Sequence, residues 1–445
     1  MSNLSRNLFV ASNLFAASAS GWSTDSSPRE LAQFSFKDAE SAAEWGSRIL
    51  KLKDAYDKQD EEARKAVALL YEAWEQEFAS FLRDEKLDVS ESKKMEAFVN
   101  NMWLAAKTNV HNLESGQHPW WQSLNRFANI DFDDFKRHFL TPIEPDFKDV
   151  IDIDFDPIPL VECVDWDASG QLTPVKNQGA CGSCWAFSAA AAAESNYLIR
   201  KGQTYASNPI DISEQQLVDC VSSPRTKVDG SAFTSGGCSG GHSYQAMEFI
   251  YKYGVQKESK YPYTATDGTC TLDKPFSFEL KGNVAGSGAV SPGWGRLSPS
   301  SDPNAIKTAL HEQTLSHYIR VEQPFQLYNG GVFNTPCDST GINHATLFYG
   351  YCDSKIDNFG LVDTLKIKNS WGTGWGEDGK MRLEMTSGDG ICEAQKYVWV
   401  DEPAEFKLYG GIKLPIKVKK PIKVKKPIKG KKKPAKKLPR NMLVD

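Results

Sequence analysis

Cysteine is absent from the first 162 residues and again after Cys392. The nine cysteines, at 163, 181, 184, 220, 238, 270, 337, 352 and 392, all lie between those limits. The only close pair is Cys181-x-x-Cys184, and no second such pair faces it, so the spacing of a four-ligand zinc site is missing. Disulfide pairing with one working thiol left over accounts for the odd number. No apolar run reaches the roughly 18 residues that a membrane-spanning helix needs, so no transmembrane segment is expected. Aromatic residues stop at Tyr409, which leaves the end of the chain nothing to stack on nucleic-acid bases. Asn-x-Ser/Thr occurs only at Asn3, so sorting through N-linked glycans has no support in the body of the chain.

What is present is globular in kind. Hydrophobic residues make up 40% and charged residues 24%, enough for a sizeable core, and 445 residues suit two or three domains. The net charge of −5 conceals a polarity: Lys413–Asp445 holds thirteen Lys, one Arg and one Asp, +13, against −18 for the rest.

Five stretches follow from composition. Residues 1–26 contain no acid before Asp25 and carry the short apolar run Leu8–Ala17, interrupted by Ser12 and Asn13; they read as a secretory signal or a disordered N-terminus. From 27 to 140 the pattern is helical, with Lys51–Leu82 rich in Ala, Glu, Lys and Leu, and Ser90–Leu113 apolar at helical spacing with Ser90 and Ser92 as N-cap candidates. Residues 141–159 hold Pro142, Pro145, Pro157 and Pro159 and read as an extended linker. The body, 160–406, has one strong helix, Ala-rich Ser183–Lys201 closing at Gly202, with Cys184 in its first turn. Beyond Leu280 short apolar runs alternate with Gly and Pro turns, which favours β structure. The tail, 407–445, repeats Pro-Ile-Lys-Val-Lys-Lys and reads as disordered or extended.

The segment Gln178-Gly-Ala-Cys-Gly-Ser-Cys184-Trp-Ala-Phe187 concentrates chemistry. A cysteine attacks only as thiolate, and a helix N-terminus stabilises that anion through unpaired amides and the helix dipole. A histidine partner can take the thiol proton and return it to a leaving amine. Taken singly, Cys184 reads as a disulfide half, His344 as a core histidine and Asn369 as a turn residue.

Together with Asn343-His344-Ala345, Lys368-Asn369-Ser-Trp371-Gly-Thr-Gly-Trp375-Gly, Gly237-Cys-Ser-Gly-Gly241 and Ser213-Glu-Gln-Gln-Leu-Val-Asp-Cys220, this segment resembles the papain-like, cathepsin-type cysteine peptidases. The matches run from Val164 to about Trp399 in the order of that family. The resemblance implies an α+β, two-lobed fold, a helical lobe beside a β-barrel-like lobe, preceded by a helical pro-domain. It implies a cysteine endopeptidase made as a zymogen, with Cys184 as nucleophile, His344 as base, Asn369 orienting that base and Gln178 as side-chain oxyanion donor. No cofactor and no metal are implied; an inactive binding protein on the same fold is the alternative. His344 and Asn369 stand 160 and 185 residues beyond Cys184, farther than the roughly 130–150 usual for the family. Extra loop length around 285–303, 353–363 and 222–235 absorbs the excess.

The family's disulfides, carried over, are Cys181–Cys238, Cys220–Cys270 and Cys337–Cys392. Cys163 and Cys352 then form either a fourth bridge or two buried thiols. Lys94-x3-Phe98-x2-Asn101 with Asn109 resembles the family's pro-region helix motif, with Ala105 for its usual isoleucine. Asn125-x-Phe127 with Asp131 and Phe135 resembles its second motif, with Asn129 for a usual aspartate. An unrelated helical domain is the other reading. A pro-segment would run backwards through the cleft and be cut in the 141–160 linker, with acid loosening it through Asp131–Asp134. The substrate pocket is expected from Gly240, Gly241, His242, Ser243, His317, Ala345 and Trp371, its two histidines weakening the family's preference for Leu or Phe. Expected partners are protein or peptide substrates and cystatin-like inhibitors, with the chain a monomer in the secretory pathway, a lysosome-like compartment or outside the cell. The tail is expected either to be trimmed or to bind anionic surfaces.

Overall fold

The computed structural model describes residues 31–401 apart from 83–88, 118, 145–149, 151, 223–224, 226, 228–229, 272–293 and 357–359. The signal-like segment 1–26 and the basic tail therefore lie outside the described residues. No described helix is long and apolar enough to cross a membrane.

The first long helices among the described residues are α1, Ala39–Asp57; α2, Glu61–Glu77; and α3, Glu91–Ser115, with a single turn at Ala79–Leu82 between the last two. The run Lys51–Leu82, read as one helical stretch, is broken at Lys58–Asp60. Gln59 takes φ 62°, and the Asp60 carboxylate accepts from Ala63 N at 3.0 Å to cap the next helix. Ser90 sits at the N-cap of α3, but its hydroxyl meets Ser92 Oγ at 3.2 Å rather than a helix amide. The apolar stripes of these helices bury Trp45, Ile49, Leu70, Trp74, Phe98 and Met102 in one cluster.

Next come β1, Trp120–Gln122, and α4, Phe132–Phe139, whose N-cap Asp131 accepts from Asp134 N at 2.8 Å. The linker contributes β2, Asp152–Ile153. The body begins with β3, Cys163–Asp165, and continues with α5, Cys184–Lys201; α6, Glu214–Cys220; and α7, Ser243–Tyr253. As the alanines and Gly202 require, α5 ends with Gly202 at φ 60° donating to Ile199 O and Leu198 O.

The second lobe comprises β4, Trp294–Leu297; α8, Pro303–Glu312; β5, Leu315–Ile319; β6, Tyr328–Phe333; β7, His344–Ile356; β8, Gly360–Lys368; β9, Lys380–Glu384; and β10, Val398–Asp401. The sheet order is β1-β6-β9-β8-β7-β5-β10-β4-β2, with β3 beside β7. The molecule is thus α+β, with one apolar cluster around α5 and α7 and another over the sheet. Both ends of the sheet are strands that precede the body, since β1 pairs with β6 and β2 with β4.

Candidate active site

Cys184 is the first residue of α5 and the free cysteine among the described residues, 1% exposed. Burial pushes its thiol up to about 11, against the helix-terminal amides that favour the anion. His344 opens β7. Its Nε2 donates to Asn369 Oδ1 at 2.8 Å, and Asn369 Oδ1 also accepts from Ser370 N at 2.8 Å. The second bond fixes which way the Asn369 amide points, so the imidazole proton sits on Nε2 and Nδ1 carries the lone pair. Nδ1 is buried with no hydrogen-bond partner. The ring stacks on Trp371 at 4.6 Å, and burial lowers the imidazole to about 4.

Gln178 is fully buried. Its Oε1 accepts from Ser370 Oγ at 2.6 Å, and its Nε2 donates to Cys181 O at 2.9 Å and to Phe139 O at 3.2 Å. The last acceptor belongs to the segment ahead of the body. That segment continues along the cleft: Thr141 N donates to Asn343 O and Ile143 N to Ile342 O, each at 3.0 Å. A Cβ on Gly182 would come within 2.2 Å of Thr141 Oγ1, and one on Gly240 within 2.2 Å of Thr141 Cγ2. Glycine at these two positions makes room for the segment, and Leu140 and Ile143 are each only 6% exposed there.

Behind Asn369 lies a cavity of about 20 Å³ lined by Lys176, Glu194, Glu214, Thr346 and Lys368, among others. Lys176 Nζ meets Glu194 at 2.9 Å and Glu214 and Asp211 at 2.7 Å. Burial and the neighbouring Glu194 raise the Glu214 carboxyl, while burial lowers Lys368, whose ammonium donates to Thr173 Oγ1 at 2.9 Å. This network pins the end of β8 that presents Asn369 against α5 and α6.

The residues expected to form the substrate wall have differing surroundings. Gly241 is pressed against Trp185, where a Cβ would fall 2.5 Å from the ring. Half-buried His242 is the N-cap residue of α7 and stacks on Tyr244 at 5.0 Å. Ser243 is buried, its N–H donating to Tyr318 Oη at 2.9 Å. Ala345 pairs across the sheet with Tyr318. The assignment of His317 to this wall is corrected. His317 pairs with Thr346, takes a hydrogen bond with Thr346 Oγ1 at 2.6 Å, meets Ala394 O at 3.1 Å and stacks on Phe348 at 3.5 Å. Neighbouring residues of a strand point to opposite faces, and it is Tyr318, one position on, that meets Ser243. His317→Leu is expected to cost about 2–3 kcal/mol by stranding the Thr346 hydroxyl and the Ala394 carbonyl. Urea unfolding measures that loss, while the amino acid preferred two residues before the cut should not change.

Four disulfides are formed: Cys181–Cys238, Cys220–Cys270, Cys337–Cys392 and Cys163–Cys352. The last joins residues directly opposite in the β3–β7 register. The helical segment is docked through the residues singled out above. Asn101 Nδ2 donates to Ala128 O at 2.8 Å and Ile130 O at 2.9 Å, and Asn109 holds Gln122 through both main-chain groups. Asn125 Nδ2 donates to Gln326 O at 2.8 Å, across to the body. Phe127 packs on Phe135, Phe139 and Trp371. Lys94 faces outward to Glu91, and Asn129 is a neutral group 5% exposed. Sequence reasoning missed Arg126, which is fully buried, donates to Trp371 O at 2.5 Å and lies over Phe81 and Phe127. Its signal was its place between Asn125 and Phe127.

Residues 160–400 match the family described as papain family cysteine protease. Caricain from Carica papaya is 34% identical over 350 residues, covering 77% of this chain and 88% of that protein. The recombinant stem bromelain precursor superposes with a TM-score of 0.59 at 28% identity, over 75% of this chain and 98% of that one. The digestive procathepsin L2 proteinase from Tenebrio molitor larval midgut gives 0.62 at 28% identity, over 75% and 99%. The last two are precursor forms, and the similarity extends over the helical segment as well as the body. The chain therefore belongs to the papain family of cysteine proteases, and to the members of it that are made as zymogens.

Proposed function

We propose that this chain is the latent precursor of a cysteine endopeptidase that cuts peptide bonds through a Cys184–His344–Asn369 site and an acyl-enzyme. The supporting observation is the Nε2–H to Asn369 bond, which leaves the His344 Nδ1 lone pair free to act as the base, on the strand whose next residue, Ala345, offers its backbone amide to the Cys184 thiol. In the open cleft Nδ1 takes the Cys184 proton, the thiolate adds to the scissile carbonyl, and the imidazolium returns the proton to the departing amine. Water then hydrolyses the thioester by the reverse proton path. The Cys184 amide and Gln178 Nε2 stabilise the tetrahedral oxyanion, by about 3 kcal/mol per donor in comparable sites. In this reading residues 27–140 are the pro-region, 141–159 the linker and 160–406 the peptidase. Latency follows from occupancy: Phe139 O holds the Gln178 amide, Thr141 fills the space over Gly182 and Gly240, and burial keeps the thiol and imidazole both neutral in the closed cleft. Titration with a thiol-directed peptide epoxide tests the assignment. Label should enter Cys184 stoichiometrically after the linker is cut and hardly at all before; a processed chain that takes no label refutes the reading.

The closed form should lose stability in acid through His344. Its imidazole is lowered to about 4 from 6.5, so between those values the unfolded chain binds more protons than the folded one, and stability falls as pH drops from 6.5 toward 4. A shift of that size corresponds to roughly 3 kcal/mol. Melting temperatures of the Cys184→Ala chain across pH 4–7 should fall more steeply than those of Cys184→Ala/His344→Gln. Parallel curves would remove His344 from the acid response.

A further inference from the structure

Ile151-Asp-Ile-Asp-Phe-Asp156 in the linker alternates apolar and acidic residues without a break, so an extended chain here has one apolar and one acidic face. Nothing in the catalytic reading uses that pattern. The structure does, at the end of the sheet. The linker strand β2 lies parallel to β4 as the outermost strand, Asp152 opposite Arg296 and Ile153 opposite Leu297. Ser298 N donates to Ile153 O at 2.9 Å, and both Arg296 Nε and Nη2 reach Asp152 Oδ1 at 2.8 Å. Ile153 and Phe155 are partly buried against the core of the sheet, while Asp154 and Asp156 are exposed.

On its inner side β4 is paired with β10, so its outer edge is covered by the linker. From Asp154 to Glu162 the chain has little regular structure and is largely exposed until β3, where Cys163 is bridged to Cys352. A cut in that stretch severs β2 from the body, because no cysteine precedes Cys163 to retain it. Among the described residues no other strand pairs with this edge, so the amides and carbonyls of β4 would then be open, with Arg296 and an apolar shelf alongside. An uncovered edge of this kind pairs readily with another extended chain.

We propose that the outer edge of β4 is a strand-addition site for extended peptides that alternate acidic and apolar residues. Residues 152–156 fill it in the precursor, and cutting the linker opens it. Main-chain pairing supplies most of the hold, Arg296 selects an acid at one position, and the shelf beneath Ile153 and Phe155 selects apolar residues at alternate positions. The opening step rests on the precursor reading; the binding does not.

The test uses the full chain carrying Cys184→Ala, so that no self-cleavage occurs and residues 139–143 still fill the cleft. The probe is the fluorescein-labelled peptide Asp-Val-Ile-Asp-Ile-Asp-Phe-Asp, followed by anisotropy. Two variants open the edge from the linker side, Ile153→Asp and Asp152→Lys, each checked for cooperative melting. Opening is read as faster hydrogen exchange at the Ser298 amide. The parent chain should show no saturable binding, the opened chains should bind in the micromolar range, and adding Arg296→Glu should weaken that about tenfold. A peptide with Lys in place of each Asp should not bind. Unchanged exchange at Ser298 in both variants would overturn the clamp, and opened chains that ignore the peptide, or bind it equally with Arg296→Glu, would overturn the site.

Discussion

Cys184→Ala is expected to lower peptidase turnover by roughly four orders of magnitude or more, with the fold and the four disulfides intact. Nucleophile deletions in comparable triads remove nearly all of the rate gained by the reacting groups, because the remaining partners have nothing to activate. The side chain sits at the start of α5 in a site already close-packed, and Cys184→Ala removes one buried sulfur without disturbing the amides behind it. Turnover of a fluorogenic peptide by the processed enzyme is the measurement, with circular dichroism as the control on folding. Activity retained within a hundredfold of the parent would rule out Cys184 as the nucleophile.

Phe127→Ala should release latency by about 10²–10³-fold. Its ring is fully buried between Phe135, Phe139 and Trp371, so deletion leaves a cavity at the junction of the helical segment with the site. Phe→Ala changes of this kind cost about 3–5 kcal/mol. Much of that loss should fall on docking, because Trp371 belongs to the body and also stacks on His344. The readout is the rate at which a peptide epoxide labels the still uncut chain, identified by its size on a gel. A rate equal to that of the parent would mean that the aromatic cluster holds the helices together without holding the cleft shut.

Local chemistry was legible where it is written in short spacings. The Ala-rich run Ser183–Lys201 closed by Gly202 predicted α5 to its last residue and to within one residue of its start, where Ser183 proves to be the N-cap, because propensity and cap agree there. The Cys163–Cys352 bridge was open in the sequence. It became definite only through the β3–β7 register, which no local pattern encodes. The same limit misplaced His317. A position counted along the chain from Phe325-Gln-Leu-Tyr328 fixes the strand face only if it is right to the residue, and His317 lies on the face that meets Thr346 and Ala394. The break between α1 and α2 was missed because it uses neither glycine nor proline, only Asp60 as a cap. Arg126 could not have been read from composition, since a buried guanidinium depends on the Trp371 carbonyl that tertiary folding brings to it.

The distribution of cysteine gives the two parts of the chain different kinds of durability. Every covalent crosslink lies in the body, three closing spans of 50–57 residues and one a span of 189. Each such closure removes conformational freedom from the unfolded body, about 4 kcal/mol for the shorter spans and about 5 kcal/mol for the long one by the chain-entropy account. The helical segment has no such reserve and is held by packing, hydrogen bonds and local ion pairs such as Lys53–Asp57. Warming or mild denaturant should therefore melt the helical segment first and leave the body folded, which on the proposed reading is the armed enzyme. Heat treatment of this precursor is then a route to activation before it is a route to inactivation, and reductant should narrow the interval between the two.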